Sequence, residues 1–264
     1  MSESKLPLMI GIGTRIRKSP YYESDLKYGV TGFTVYNKMY LPTGFSSPEK
    51  EYESLINDVT FGDFAAERQI EINGPDAHKF VCYVQPRNLE KCAIGACKYI
   101  LLTDINGGIV NDACLLRLEE NKFWISPGDG DVILWLQGIA INSGMDVSIH
   151  EPDVSPLQIS GPKSGKLIQK LFDGEHDDLG YYKAKQTSLN GIPMVIQIKS
   201  EYKNPLKSDS PNTQDMDKGI IIVNPNIERS APIVLKRGLS LISKIIFLIY
   251  LRLLALQTPE LCHF

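Results

Sequence analysis

The sequence predicts an α+β fold built on an antiparallel sheet, and three observations carry that expectation. Strand, helix and hairpin patterns alternate from residue 68 to residue 150, an order that lays helices against an antiparallel sheet. Apolar runs flank Asn106-Gly107-Gly108, and such a segment supplies the positive φ angles a tight strand reversal needs. Residues 131–142 space Val132, Ile133, Trp135, Leu136, Ile139 and Ala140 as an amphipathic helix does.

In chain order, residues 1–47 scatter glycines, prolines, aromatics and the basic cluster Arg15, Arg17, Lys18, and read as an irregular entry segment. Tyr52, Leu55 and Ile56 stand at helical spacing, which predicts a short helix over 49–57. Residues 68–72 alternate like a half-buried strand. Gly74-Pro75-Asp76 then opens a helix over 77–84, with proline tolerated in a first turn. The hairpin pairs 98–103 with 113–118, and 123–126 adds a strand. Asp129 and Asp131 precede or open the helix over 131–142, where carboxylates suit the positive end of the helix dipole. Strands follow at 147–150 and 157–160, then Gly161-Pro162-Lys163-Ser164 and a helix over 165–172. Residues 187–198 read as two strands around Asn190-Gly191.

Beyond residue 199 the character changes. Residues 201–218 are polar, carry Pro205 and Pro211, and read as a linker; 220–223 is a short apolar run. Residues 239–256 are apolar nearly all round and long enough to suggest a membrane span. Lys244 and Arg252 inside that window, each costing roughly 2.5–3.5 kcal/mol at a membrane centre, argue against one.

The chain's 43% apolar and 22% charged residues fit a globular protein, and a net charge of −3 gives no footprint for nucleic acid. Five cysteines, an odd number without CxxC spacing, favour neither zinc nor a disulfide framework and fit a reducing compartment. Residues 6–12, broken by Pro7 and Gly11, make no secretion signal, so a cytoplasmic location is expected. His78, His150, His176 and His263 lack metal-ligand spacing, and no metal site is expected. Gly161 to Ser164 lacks the full phosphate-loop spacing and reads as a strand-to-helix turn.

Asp63, Glu67, Asp112, Asp129 and Asp131 all fall at element edges, where capping and solvation are the default explanation. Asp112 stands apart. With Asn111 it follows the glycine turn at a strand start, where such side chains are depleted unless they have a task. A carboxylate there could accept a hydrogen bond from an amine, or orient one for transfer of a one-carbon unit. Tyr99, on the strand before the turn, suits stacking on a flat heterocycle and core packing equally; Trp124 and Trp135 suit core or pocket walls.

Six segments then occur together in order: F-T-V-Y-N (33–37), F-G-D-F-A-A-E-R-Q-I-E-I (61–72), P-R-N-L (86–89), G-G-I-V-N-D (107–112), E-P-D-V-S-P-L (151–157) and S-G-P-K-S (160–164). Over roughly residues 12–198 the chain resembles the aminomethyltransferase family, the glycine-cleavage T-protein and its relatives. Within that family it is most similar to the dimethylsulfoniopropionate demethylase branch. The resemblance implies a folate-binding fold with a ferredoxin-like layer over 56–145. It also implies a discontinuous α+β domain made of 1–55 and 146–200, with a folate cavity between. Residues 201–264 would be a linker and a divergent apolar tail. The family's C-terminal barrel is then missing or incomplete, as in a truncated or frameshifted gene end.

The resemblance further implies tetrahydrofolate as cofactor and a small sulfonium or amine, such as dimethylsulfoniopropionate, as methyl donor. Asp112 falls on the family's catalytic acid. Tyr99, Val110, Asn111, Asp112 and Glu201 would contact the folate, Glu201 standing for the glutamate that grips the pterin ring. Asn111 replaces the first acid of the family's pair, as in the demethylase branch. The alternative reading is a folate-binding or degenerate member without catalysis. The oligomeric state stays open.

Overall fold

A computed structural model describes residues 13 and 15–198 together with the backbone of 220–223. The entry segment is ordered rather than irregular. Helix α1 (Tyr22–Lys27) precedes an antiparallel hairpin of β1 (Gly32–Tyr36) and β2 (Met39–Gly44). The hairpin turns at Asn37-Lys38, both left-handed with φ of 48° and 60°, as a two-residue turn of this hand demands. A lysine in place of the customary glycine hides that turn from a sequence reading. Helix α2 (Pro48–Asn57) starts where the Ser47 side chain accepts the Lys50 amide, and Glu51 Oε1 accepts the amides of Phe45 (2.6 Å) and Ser46 (2.8 Å).

The first sheet contains β4 (Ile70–Asn73), β5 (Cys97–Thr103), β6 (Ile109–Glu119), β7 (Lys122–Pro127) and β8 (Ser148–His150), in the order β5-β6-β7-β4-β8. Every neighbouring pair is antiparallel. Helix α3 (Ala77–Tyr83) follows β4 and α4 (Val132–Ile141) follows β7. Strands β4, β6, β7 and β8 with the two helices make the expected ferredoxin-like layer, and β5 extends its edge. Strand alternation sends Ile70, Ile72, Ile100, Leu102, Leu115 and Ile125 onto one face, against Phe80 and Val81 of α3 and Val132 and Leu136 of α4. Each such burial contributes about 1.5–3 kcal/mol.

The second sheet contains β3 (Thr60–Asp63), β9 (Ser155–Ser160), β10 (Ala184–Leu189), β11 (Ile192–Gln197) and β12 (Ile220–Val223), in the order β10-β11-β12-β9-β3. It repeats the plan of the first. Strands β9, β10, β11 and β12 take the places of β4, β5, β6 and β7, and helix α5 (Ser164–Leu171) takes that of α3. The place of β8 goes to β3, drawn from earlier in the chain. Two strands of this sheet were not expected from the sequence: β3, and β12, which lies inside the stretch read as linker and tail. Helix α5 buries Leu167, Ile168 and Leu171 against Leu157, Ile159, Met194 and Ile196.

The two sheets meet through their other faces, where Cys97, Cys114, Leu116, Leu118 and Trp124 pack with Val195 of β11. Helices therefore lie outside and the sheets inside. Among the described residues no helix is long and apolar enough to cross a membrane. Residue 201 and the apolar stretch 239–256 lie outside the described residues.

Candidate functional site

The turn between β5 and β6 is wound around Asp104. Its Oδ1 accepts the amides of Asn106 and Gly108, each at 2.8 Å, and the Asp104 amide donates to Gly108 O at 2.9 Å. Gly107 sits at φ +81°, and a Cβ on Gly108 would lie 2.9 Å from Asp104 Oδ2. The glycines thus serve the turn itself rather than a ligand beside Asp112. Strand β6 also begins at Ile109, so Asn111 and Asp112 lie within it, both already paired with β5.

Successive strand residues face opposite ways, and that separates the two. Asp112 shares the inner, inter-sheet face with Cys114 and Leu116, and it is exposed at the rim, next to the register shift that leaves Val110 unpaired. Tyr99 O–H donates to Asp112 Oδ2 at 2.7 Å. That hydrogen bond, followed by slight desolvation and the carboxylate's charge, raises the Tyr99 pKa and keeps the phenol a donor. Asp112 Oδ1 faces Gly128, where a Cβ would lie 3.4 Å away; the glycine leaves room beside that oxygen.

Asn111 points to the helical side and is buried at 8% exposure. Its Nδ2 donates to Asp129 O at 3.1 Å and its Oδ1 accepts the Gly128 amide at 2.9 Å. Both ends of its amide are therefore committed to the loop 127–130. Its role is to shape the wall next to Asp112.

The β1–β2 hairpin closes on the same loop. Asn37 accepts the Gly130 amide (2.8 Å), donates from Nδ2 to Ala66 O (3.1 Å) and Gly128 O (3.2 Å), and gives its own amide to Asp129 Oδ1 (2.8 Å). Lys38 pairs with Asp131 at 2.5 Å. Asp129 and Asp131 thus fasten the hairpin, and Asp131 makes no side-chain cap on α4. Tyr36 completes the group: burial first, then the charges of Glu67, Asp129 and Asp112, raise its pKa. A sequence reading overlooks Tyr36, Asn37 and Gly128. The signal for the last lay in the P-G-D-G-D run at 127–131.

Behind this wall Arg68 grips Glu151 with two hydrogen bonds, one from Nε to Oε1 at 2.9 Å and one from Nη2 to Oε2. Arg17 adds a contact of 2.6 Å to the same carboxylate, and Arg68 Nη1 donates to Asn37 O at 3.3 Å. Trp124 is a core wall, its Nε1 donating to Glu71 Oε2 at 2.8 Å. Tyr99 is 45% and Val110 37% exposed. Among the described residues no group of three or more His, Cys, Asp or Glu side chains could hold a metal ion.

Paired sheets with helices outside make an aminomethyltransferase-like α+β fold. The chain belongs to the family described as the GCVT N-terminal domain, whose model matches residues 21–202. Dimethylsulfoniopropionate demethylase DmdA of Ruegeria pomeroyi is 37% identical over 182 residues, covering 69% of this chain and 50% of that protein. An aminomethyltransferase of Corynebacterium aurimucosum is 30% identical over 173 residues, covering 63% and 46%. The glycine cleavage system aminomethyltransferase T of Bartonella henselae shares the fold at a TM-score of 0.64 and 19% identity, over 79% of this chain and 53% of its own. The chain spans about half the length of the curated relatives it matches.

Proposed function

We propose that this chain carries one wall of an active site that moves a methyl group from a small sulfonium or amine donor, such as dimethylsulfoniopropionate, to tetrahydrofolate. One observation carries the reading: Asp112 stands on the inner face with Oδ2 held by Tyr99 and Oδ1 left over a glycine. Membership of the family and the likeness to the demethylase support it. The wall suits a folate: a carboxylate offers an acceptor to ring N–H groups, and Tyr99, Val110 and Tyr36 offer flat or apolar surface. Tetrahydrofolate, when bound, supplies a nucleophilic ring nitrogen to accept the carbon.

The chain's own residues position and discharge. Tyr99 fixes one oxygen of Asp112, so that the other keeps a single direction. Asp112 Oδ1 would accept a hydrogen bond from the ring N–H of a bound folate, orient that nitrogen, and take up the proton it gives off. The electron pair of the donor's C–S bond leaves with the sulfur as a neutral sulfide, a good leaving group, so positioning supplies much of the rate. Asn111, Asn37 and Gly128 hold the loop that keeps the space beside Oδ1 open.

The test is titration calorimetry with tetrahydrofolate, followed by a donor screen that reads 5-methyltetrahydrofolate. Asp112→Asn should retain folate binding and lose about 10²–10⁴ in turnover, the usual worth of a positioned acid or base. Full turnover in the folate-bound variant would remove the assigned role. Folate binding with no turnover from any donor would instead establish a non-catalytic folate-binding member of the family.

A further inference from the structure

Strand β5 is the edge of the first sheet, with β6 as its one partner there. Backbone groups of successive strand residues point alternately to the two sides. The Arg117 amide donates to Ala96 O and the Asp104 amide to Gly108 O, so even-numbered residues of β5 face β6 and odd-numbered ones face outward. The register shift beside Thr103 falls on β6, where Val110 is the extra residue, and β5 keeps its alternation. Among the described residues, the outer side of β5 takes two hydrogen bonds. Cys97 N donates to Tyr182 O at 2.8 Å, and Arg87 Nη1 donates to Tyr99 O at 2.8 Å. From Tyr99 to Thr103 the edge is otherwise a bare template, a form that soluble proteins blunt or cover.

This stretch is complementary to itself. An antiparallel pairing with its two-fold axis at Leu101 sets Leu101 against Leu101, Tyr99 against Thr103 and Lys98 against Asp104. Every outward residue then meets an outward residue, which gives about six N–H···O=C bonds. The Tyr99 carbonyl has a second lone pair beside the one that Arg87 takes. Lys98 and Asp104, of opposite charge, fall directly across the junction, twice by symmetry, and cross-strand pairs of this kind favour the pairing. Asp104 holds its own turn through Oδ1, so Oδ2 is left to the lysine. A one-residue slip loses both matches. The same register carries Ile105, 100% exposed, opposite Cys97, to which the Tyr181-Tyr182 segment is bonded, and so gives that side chain apolar cover.

We propose that the free edge of β5 docks a second copy of this chain, so that the two five-stranded sheets join into one continuous antiparallel sheet about an axis at Leu101. The contact is isologous and closes at two copies. Directly opposed residues share a face, so Thr103 of the second copy stands beside Tyr99 on the inner side. Asp112 pairs with Leu101 one strand in from the junction. The two Asp112 residues therefore lie roughly 14 Å apart, three strand spacings. Each copy lengthens the inner wall that holds the other's Asp112, whatever ligand that wall takes.

Sedimentation velocity on the full chain over a concentration series, with amide hydrogen exchange at both ends of the series, tests the pairing. The expected result is a monomer–dimer equilibrium with a Kd of about 1–100 µM, fitting a small and partly polar interface. The amides of Tyr99, Leu101 and Thr103 should gain protection in the dimer. Leu101→Pro removes the outward N–H at the axis and leaves the bonds to β6, as an edge strand allows; it should weaken the dimer about tenfold or more. Ile105→Glu alters a side chain wholly exposed in the single chain, should weaken the dimer likewise, and serves if the proline variant does not fold. A chain that stays monomeric to about 1 mM overturns the proposal. So does a dimer that either folded variant retains at full strength, or one that forms without added protection at those three amides.

Discussion

The Arg68–Glu151 pair offers a quantitative test, because it joins chain segments far apart in sequence and supports the loop beside Asp112 through Asn37. Its side chains are 23% and 27% exposed, between the two regimes for ion pairs. Fully exposed pairs contribute about 0–1 kcal/mol, and breaking a buried pair by removing one partner costs about 3–5 kcal/mol. Discounted for the remaining exposure, a double-mutant cycle of Arg68→Ala and Glu151→Ala should give a coupling of about 1–2 kcal/mol at pH 7. The sign of its pH dependence follows from Glu151. Burial pushes that carboxyl up, but the hydrogen bonds and charges of Arg68 and Arg17 outweigh it and hold it below the usual range. The coupling is thus present above the ordinary glutamate value of about 4.3 and fades as pH falls through the lower folded value. Urea unfolding followed by circular dichroism, at about pH 7 and again at about pH 3, measures it. A coupling under about 0.5 kcal/mol at neutral pH, or one unchanged at low pH, would refute the argument.

Other outcomes follow from single contacts. Asn111→Asp removes the only donor of that side chain and sets a carboxylate against Asp129 O; urea melts should show a loss of about 1–3 kcal/mol. Gly107→Ala forces a Cβ onto a residue at φ +81°, and the same melts should register about 1–2 kcal/mol. Asp25, its folded pKa raised to about 8, contributes stability that is complete below the ordinary aspartate value and is lost as pH rises through the folded one. Thermal melts from about pH 5 to about pH 9 should therefore fall for the natural chain and stay flatter for Asp25→Asn. Tyr99→Phe should leave the fold intact and lower methyl transfer, because Asp112 loses the donor that fixes its direction; unchanged turnover would discard that positioning role.

Much of both sheets was legible where the signals are local. The helix expected over 131–142 is α4 (Val132–Ile141), and the strands expected over 187–198 are β10 and β11 around Asn190 and Gly191, at φ 53° and 79°. The missed elements lack such signals. Strand β3 is four residues long with a glycine inside it, and its partner β9 lies about a hundred residues away, so only tertiary pairing defines it. Asp112 was readable as an acid with a task, and the glycines before it as a turn, but that Asp104 holds the turn together emerges only from the folded loop. The Asp25–Asp63 cluster gave no signal, since an aspartate in a short helix and one at a strand end look like ordinary surface acids until the chain closes over them.

The interleaving of the second sheet sets a timetable for the chain's birth. Strand β9 finds β3 already made, but its other edge, and that of β11, wait for residues 220–223, which lie between them. At about 5–20 residues per second, the roughly 60 residues from β9 to β12 take some 3–13 s to appear. Through that interval β9, joined later by β11, carries an open edge, the form most prone to pair with a neighbouring chain. The four residues that close the gap arrive last, so a nascent chain stalled short of them holds two separate strand pairs instead of one sheet.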